Sequence, residues 1–235
     1  MTRFYLDSAD LAEARPLLGT GLLAGLTTNP TLLQRAGVPN RELPALVAGA
    51  REAGARTVFV QTWGDGVQEL TERGRWIRSL GDDVVVKVPV SAAGLQATAR
   101  LSAEGVPVLA TAVYAAAQVL PVIAAGARYV APYLGRMDDN GRAGRAEIAT
   151  MQRIVTAAGA DLRVLVASLR SVADVVALAE LGVADFTLSA TLWAALAADP
   201  LTDAAVEGFD AASAAGGPAG LGAGPRSDPG LSARG

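Results

Sequence analysis

The sequence predicts a closed (β/α)8 barrel of the TIM type, built as a single domain. Three observations carry this. Short β-rich runs alternate with longer helical stretches along the chain. Several of those runs are almost wholly apolar, as strands of a parallel sheet covered on both faces must be. Glycine recurs just beyond the helical stretches, where a helix is commonly stopped. About eight strand–helix units in little more than 200 residues is the count and size of such a barrel. The other architecture with this alternation is an open doubly wound sheet, but no Gly-x-Gly-x-x-Gly turn follows the first strand.

The expected strands are Phe4–Leu6, Leu23–Leu26, Thr57–Gln61, Val84–Val88, Val106–Thr111, Tyr129–Pro132, Val164–Ala167 and Asp185–Leu188. Between them the helical period marks Glu42–Ala53, Val67–Leu80, Ala92–Ala103, Ala115–Ala125, Arg145–Ala158 and Val172–Leu181, with stops at Gly54, Gly81, Gly105, Gly126, Gly159 and Gly182. From about Ala212 the chain turns Gly/Pro/Ala-rich and loses its apolar period, so residues 1–212 are expected to form the barrel and 213–235 a disordered tail.

Composition excludes much chemistry. The chain has no cysteine, which rules out disulfides, thiol nucleophiles and iron–sulfur clusters. It has no histidine, which rules out a Ser-His-Asp triad and a His-ligated zinc site. Net charge is −3, aromatics are 5% and there is no basic block, so no nucleic-acid footprint is present. No apolar run approaches the ~20 residues that span a bilayer. The N-terminus leads directly into a strand without a signal-peptide pattern, so the expected location is the cytoplasm.

Of twenty basic residues nineteen are arginine, and the one lysine, Lys87, sits in the apolar strand Val84-Val85-Val86-Lys87-Val88. Arginine stays protonated, whereas a desolvated lysine loses its proton and can attack a carbonyl. Lowering a lysine pKa from ~10.4 to ~7 requires roughly 4–5 kcal/mol of destabilisation of the ammonium. Burial by the four flanking valines and the barrel interior is the expected source. The competing reading is a strand-end lysine that snorkels to water.

A barrel gathers its chemistry at the C-terminal ends of its strands. Those ends read Asp7, Thr27-Thr28-Asn29, Gln61, Lys87, Thr111, Tyr133 with Arg136, Ser168 with Arg170, and Ser189. Taken singly each is bland: Asp7-Ser8 reads as a helix cap and Thr-Asn-Pro as a turn. As a set around one lysine they describe a pocket. Without histidine, acid–base work falls to Asp7, Tyr133 or a water held by Gln61 and Thr111. Asp7 would oppose deprotonation of Lys87 on contact, so it is expected across the pocket. Arg136 and Arg170 suit a phosphate. Asn29, Ser168 and Thr27 suit the hydroxyls of a polyol.

Seven segments, in order, match one family: Leu6-Asp7-Ser8-Ala9, Gly25-Leu26-Thr27-Thr28-Asn29-Pro30, Val85-Val86-Lys87-Val88-Pro89, Ala110-Thr111-Ala112-Val113-Tyr114, Tyr129-Val130-Ala131-Pro132-Tyr133, Gly135-Arg136-Met137-Asp138-Asp139 and Ala167-Ser168-Leu169-Arg170. Over residues 3–210 the chain resembles the short-chain transaldolases, a family that includes fructose-6-phosphate aldolase. The resemblance implies a Schiff-base (class I) aldolase mechanism with no metal or other cofactor, and small sugar-phosphate substrates. Lys87 would form an imine at C2 of a ketose, and cleavage between C3 and C4 would leave a dihydroxyacetone enamine. The aldolase type carries Gln and Tyr where this chain has Gln61 and Tyr133, and the transaldolase type carries Glu and Phe. The Gly135–Asp139 segment and Arg170 look more like the transaldolase branch, so both activities stay open, with the aldolase first.

The resemblance also implies a homo-oligomer, a pentamer or decamer. Relatives reach a neighbouring subunit with a final aromatic-bearing helix. Here Ala204–Ala212 begins such a helix before Gly and Pro enter. Two rivals remain on the residues alone. A pyridoxal-phosphate enzyme would use one buried lysine and colour the protein yellow. A non-catalytic sugar-phosphate-binding protein would keep its ligand after Lys87→Arg.

Overall fold

The computed structural model describes residues 1–215. Its eight strands are β1 Arg3–Asp7, β2 Gly25–Thr27, β3 Val58–Gln61, β4 Val84–Pro89, β5 Val108–Val113, β6 Tyr129–Pro132, β7 Arg163–Val166 and β8 Asp185–Leu188. They pair in sequence order, all parallel, and β8 returns to β1 to close the barrel. Around it run α1 Leu11–Leu18, α2 Pro30–Arg35, α3 Leu43–Glu52, α4 Val67–Arg78, α5 Ala92–Ala103, α6 Val119–Ala124, α7 Leu134–Asp139, α8 Gly144–Ala157, α9 Val172–Glu180 and α10 Ala190–Ala197. No described helix is long and apolar enough to cross a membrane.

All eight expected strands are present, displaced by at most two residues at an end, and the helices at the six expected ranges are present too, α8 beginning one residue earlier than expected. One helix is shorter than the period implied: 115–125 divides into a 3-10 turn, Ala116–Gln118, and α6. The expected ranges did not include α1, which is eight residues long and holds Pro16, the six-residue α2 and α7, or α10. Five of the six expected glycine stops take positive φ, as at Gly105 (φ +77°). Gly81 does not. A Cβ there would meet the Arg51 guanidinium at 2.0 Å, so the position is kept open for the Arg51–Asp83 ion pair.

Residues 197–215 form a second compact unit, carrying α11, Pro200–Ala215, none of whose residues is buried. The expected boundary at 212 falls inside this helix, because Ser213-Ala214-Ala215 are compatible with a helix and the first glycine comes only at 216. The remainder of the expected tail, 216–235, lies outside the described residues.

The parity of β4 corrects one half of the expected surroundings of the lysine, the valines, and keeps the other, the barrel interior. Val84, Val86 and Val88 point outward and pack among α4 and α5 residues such as Leu70, Ile77, Ala97 and Leu101. Only Val85 shares the barrel interior with Lys87, in a cluster with Tyr5, Ala24, Phe59, Leu109, Ala131 and Leu165. Strand side chains alternate between faces, so three of the four flanking valines cannot touch the lysine.

The interior is layered. At the N-terminal ends of the strands Asp185, 2% exposed, accepts from Arg3 Nε at 3.1 Å and from Arg163 Nε at 3.0 Å. Above this lie edge-to-face contacts, Tyr5 on Phe59 and Phe59 on Tyr129, each with centroids 5.2 Å apart. This plug fills the interior at that end, and the cavity of the strand interior lies at the opposite one. Removing one partner of a buried ion pair strands the other charges and costs about 3–5 kcal/mol. Asp185→Ala is therefore expected to lose that much stability in urea unfolding, whereas Asp82→Ala, at an exposed ion pair with Arg78, is expected to lose less than ~1 kcal/mol.

Candidate active site

At the C-terminal ends of the strands one cavity is lined by Asp7, Thr27, Asn29, Lys87, Tyr133, Arg136 and Ser168, together with Thr31, Leu32, Arg35, Leu109, Ala131, Leu165, Ala167 and Thr187. Seven of the ten residues expected from the sequence thus share one space. Lys87 is 5% exposed and its Nζ donates to the Thr28 carbonyl at 2.7 Å. It does not snorkel. Burial pushes its pKa down from the ordinary lysine value, and the Asp7 charge opposes that shift.

Asp7 makes no ion pair with Lys87; Thr27 Oγ1 donates to its Oδ1 at 2.7 Å. Burial pushes the Asp7 carboxyl above the usual carboxylate range, against the charges of Lys87 and Arg136 and the Thr27 hydrogen bond. Nor does Asp7 cap the first helix. That role belongs to Asp10, whose side chain accepts from Ala12 N at 2.8 Å, while Ser8 donates to Glu13. Asp7 is therefore left to the cavity, where its charge acts on the lysine.

Tyr133 Oη and Thr111 Oγ1 are hydrogen-bonded at 2.8 Å. Thr111 is buried behind the tyrosine and reaches the cavity only through it. Its strand is irregular there: β5 shifts register between Ala110 and Val113, and Ala112 takes φ +59°. Ser168 also takes φ +58°. A left-handed conformation at a non-glycine residue is uncommon and costs of order 1–3 kcal/mol. Here both instances border the polar end of the barrel, where they re-aim strand ends around the cavity.

Gln61 is the register partner of Lys87, so the two residues share a face of the sheet, but it is not among the cavity-lining residues. Asn29 does more than line the wall. Its Oδ1 accepts from Leu32 N at 3.0 Å and caps α2, with Pro30 in the first turn. Arg136, on α7, lies over the Tyr133 ring with its guanidinium 5.2 Å from the centroid.

Arg170 departs from expectation. It lines none of the cavity and forms a two-pronged ion pair with Asp139. It crosses α7 at Gly135, where a Cβ would stand 2.6 Å from Arg170 Nε and from the Ser168 carbonyl. Three polar lining residues, Thr31, Arg35 and Thr187, were absent from the expected site. Thr187 precedes the expected Ser189, which instead caps α10 through Leu192 N. The inward parity of Asp185 was the signal that pointed to Thr187. Thr31 and Arg35 lie on a helix, where a search confined to strand ends does not reach.

Residues 4–217 match the family described as transaldolase/fructose-6-phosphate aldolase. The chain belongs to this family. It is an enzyme of the transaldolase/aldolase type. A protein named probable transaldolase from Rhodospirillum centenum is 37% identical over 208 residues, 88% of this chain and 89% of that one. Namesakes from Aquifex aeolicus and Listeria monocytogenes are 34% and 31% identical over 88% of this chain and 94% of their own. Among solved structures, thiamine phosphate pyrophosphorylase from Pyrococcus furiosus superposes with a TM-score of 0.55 at 14% identity, covering 80% of this chain and 85% of that one. A mandelate oxidase mutant gives 0.55 at 17%, covering 91% and 74%. Likeness at that identity concerns the barrel alone.

A lysine whose pKa is lowered in the fold binds its proton less tightly than in the unfolded chain. It destabilises the fold below the unfolded value of 10.5, and that penalty fades as pH rises toward it. The stability of Lys87→Met relative to the native protein is therefore expected to be greater at pH 7 than at pH 10, measured by urea unfolding at both.

Proposed function

We propose that this family member is a Schiff-base aldolase acting on ketose phosphates of the fructose 6-phosphate type. The observation that carries the reading is the buried, unpaired amine of Lys87 at the floor of the cavity, which bears on the only lysine of the chain. A neutral Nζ adds to the C2 carbonyl, the carbinolamine hydroxyl takes up one proton and leaves as water, and an iminium remains. The proton is returned when the iminium is hydrolysed at the end of the cycle. A base takes the proton of the C4 hydroxyl. The C3–C4 bond breaks, its electron pair passes into the enamine, and the aldehyde departs. Protonation at C3 and addition of water at C2 then release dihydroxyacetone and restore the amine.

Asp7 and Tyr133 are the groups of the cavity wall suited to those proton transfers. Burial raises both, and a Tyr133 hydroxyl that keeps its proton can hold a water against the enamine. The Thr111 partner fixes its direction. That pair favours hydrolysis and hence the aldolase. The relatives' names favour a second reading, in which the enamine survives until an aldose phosphate accepts it. Thr27, Asn29, Thr187 and Ser168 are suited to the hydroxyls of the sugar chain.

Incubation with fructose 6-phosphate is expected to release glyceraldehyde 3-phosphate and free dihydroxyacetone without any acceptor. Borohydride added during turnover is expected to fix one three-carbon unit on Lys87, and Lys87→Arg to abolish both. Tyr133→Phe is expected to reduce acceptor-free release by about tenfold or more, the usual worth of a proton-transfer group, and to spare transfer to erythrose 4-phosphate. Turnover of the native protein only with erythrose 4-phosphate would establish the second reading.

A further inference from the structure

Asp7 does not stand alone in the cavity wall. Its Oδ1 is 2.7 Å from Thr27 Oγ1, and Thr27 Oγ1 is in turn 2.5 Å from Thr187 Oγ1. The three groups come from neighbouring strands of the closed ring, β1, β2 and β8. Asp7 is the register partner of Thr27, and Thr187 is that of Tyr5, two residues before Asp7 on the same face of β1. Both threonines are buried and both line the cavity, so their hydroxyls meet inside the barrel, across β1.

The hydrogens in this chain can be assigned. A threonine hydroxyl has one hydrogen to give and two lone pairs, whereas an ionised carboxylate only accepts. While Asp7 is charged, the Thr27 hydrogen therefore points at it. The Leu6 carbonyl, 3.5 Å from Thr27 Oγ1, is too distant to compete. Thr27 then has nothing left to give, and the hydrogen between the two hydroxyls comes from Thr187. Thr187 Oγ1 has no other hydrogen-bond partner among the described residues. The chain thus runs one way, from Thr187 to Thr27 to Asp7, and each donation polarises the next.

We propose that Thr187 is a positioning residue for Asp7: by donating to Thr27 it turns the Thr27 hydrogen toward the carboxylate and holds that carboxylate ready to take the proton of the C4 hydroxyl. The assignment rests on the Schiff-base reading, which supplies that proton. Thr187 acts through Thr27 and touches no reacting atom. The other groups that bear on Asp7 are Lys87 from β4, Arg136 from α7 and the Tyr133 hydroxyl beyond β6. Lys87, the Thr27 hydrogen bond and Arg136 favour the charged carboxylate, while burial opposes it more strongly. With burial set against the charge, a chain of two donors is the part of the wall that one hydroxyl can remove.

Thr187→Val keeps the branched shape and removes the donor, and Thr187→Ser keeps the donor and removes a methyl. The Asp7 midpoint is read by carbon-13 NMR on protein labelled at aspartate Cγ, its resonance identified by its loss in Asp7→Asn. Thr187→Val is expected to raise that midpoint by about half a pH unit or more, a change of about threefold in proton affinity, within the worth of one hydrogen bond. The acidic limb of kcat for fructose 6-phosphate cleavage is expected to move the same way. At neutral pH kcat is expected to fall by about twofold to tenfold, and KM to change by less than about twofold. Thr187→Ser is expected to bring midpoint, limb and kcat back toward the native values. An unchanged or lowered Asp7 midpoint in Thr187→Val would overturn the proposal, as would a Thr187→Ser protein that behaves like Thr187→Val. A raised KM with kcat and its acidic limb unmoved would mark Thr187 as a substrate contact and overturn it too. The NMR titration needs no substrate. A raised midpoint in Thr187→Val, in a protein whose native form cleaves no ketose, would support the positioning role and overturn the Schiff-base chemistry, so the two failures are distinguishable.

Discussion

Taking one ammonium out of water is the interaction on which the rest of the site depends. Lys87 enters the barrel interior because strand parity puts it on the same face as Val85, and the Thr28 carbonyl receives its Nζ at 2.7 Å. A carbonyl accepts from a neutral amine as well as from an ammonium, so the contact fixes the nitrogen without demanding a charge. The carboxylate that bears on it, Asp7, forms no ion pair with it and instead accepts from Thr27. Were Asp7 to close on the lysine, an ion pair would restore the proton that an imine-forming amine must lose.

The other end of the barrel makes this arrangement affordable in structural terms. Arg3 and Arg163, both part-exposed, pair with the buried Asp185 under a layer of aromatic contacts. The aromatic layer fills the interior at that end, and the mouth of the Lys87 cavity lies at the other. The two non-glycine residues with positive φ, Ala112 and Ser168, both border that mouth. The usual division of a barrel, stability at the bottom and chemistry at the top, is thus carried by identifiable side chains.

Much of this was legible in the sequence. Apolar runs such as Val130-Ala131-Pro132 and Val164-Leu165-Val166 gave the strands because a sheet covered on both faces leaves little alternation to obscure them. Single lysine and absent histidine narrowed the chemistry before any geometry was known. What the sequence did not yield depends on direction. The three outward valines of β4 read as neighbours of Lys87 because a linear run hides parity. Arg170 read as a substrate ligand because its pairing with Asp139 bridges 31 residues and two elements. Arg35 was overlooked because it reaches the mouth along a helix whose capping by Asn29 is itself a tertiary fact.

The protonation of Lys87 can be observed directly, since no other lysine is present to crowd the spectrum. Protein labelled with carbon-13 at the lysine Cε position gives a single ε-methylene resonance, and its shift with pH titrates this amine alone. The account predicts a midpoint clearly below the ordinary value of 10.5, falling further in Asp7→Asn as the opposing charge is removed. A midpoint at or above 10.5 would mean that Lys87 rests as a solvated or paired ammonium, and would contradict the desolvation on which the chemistry is built.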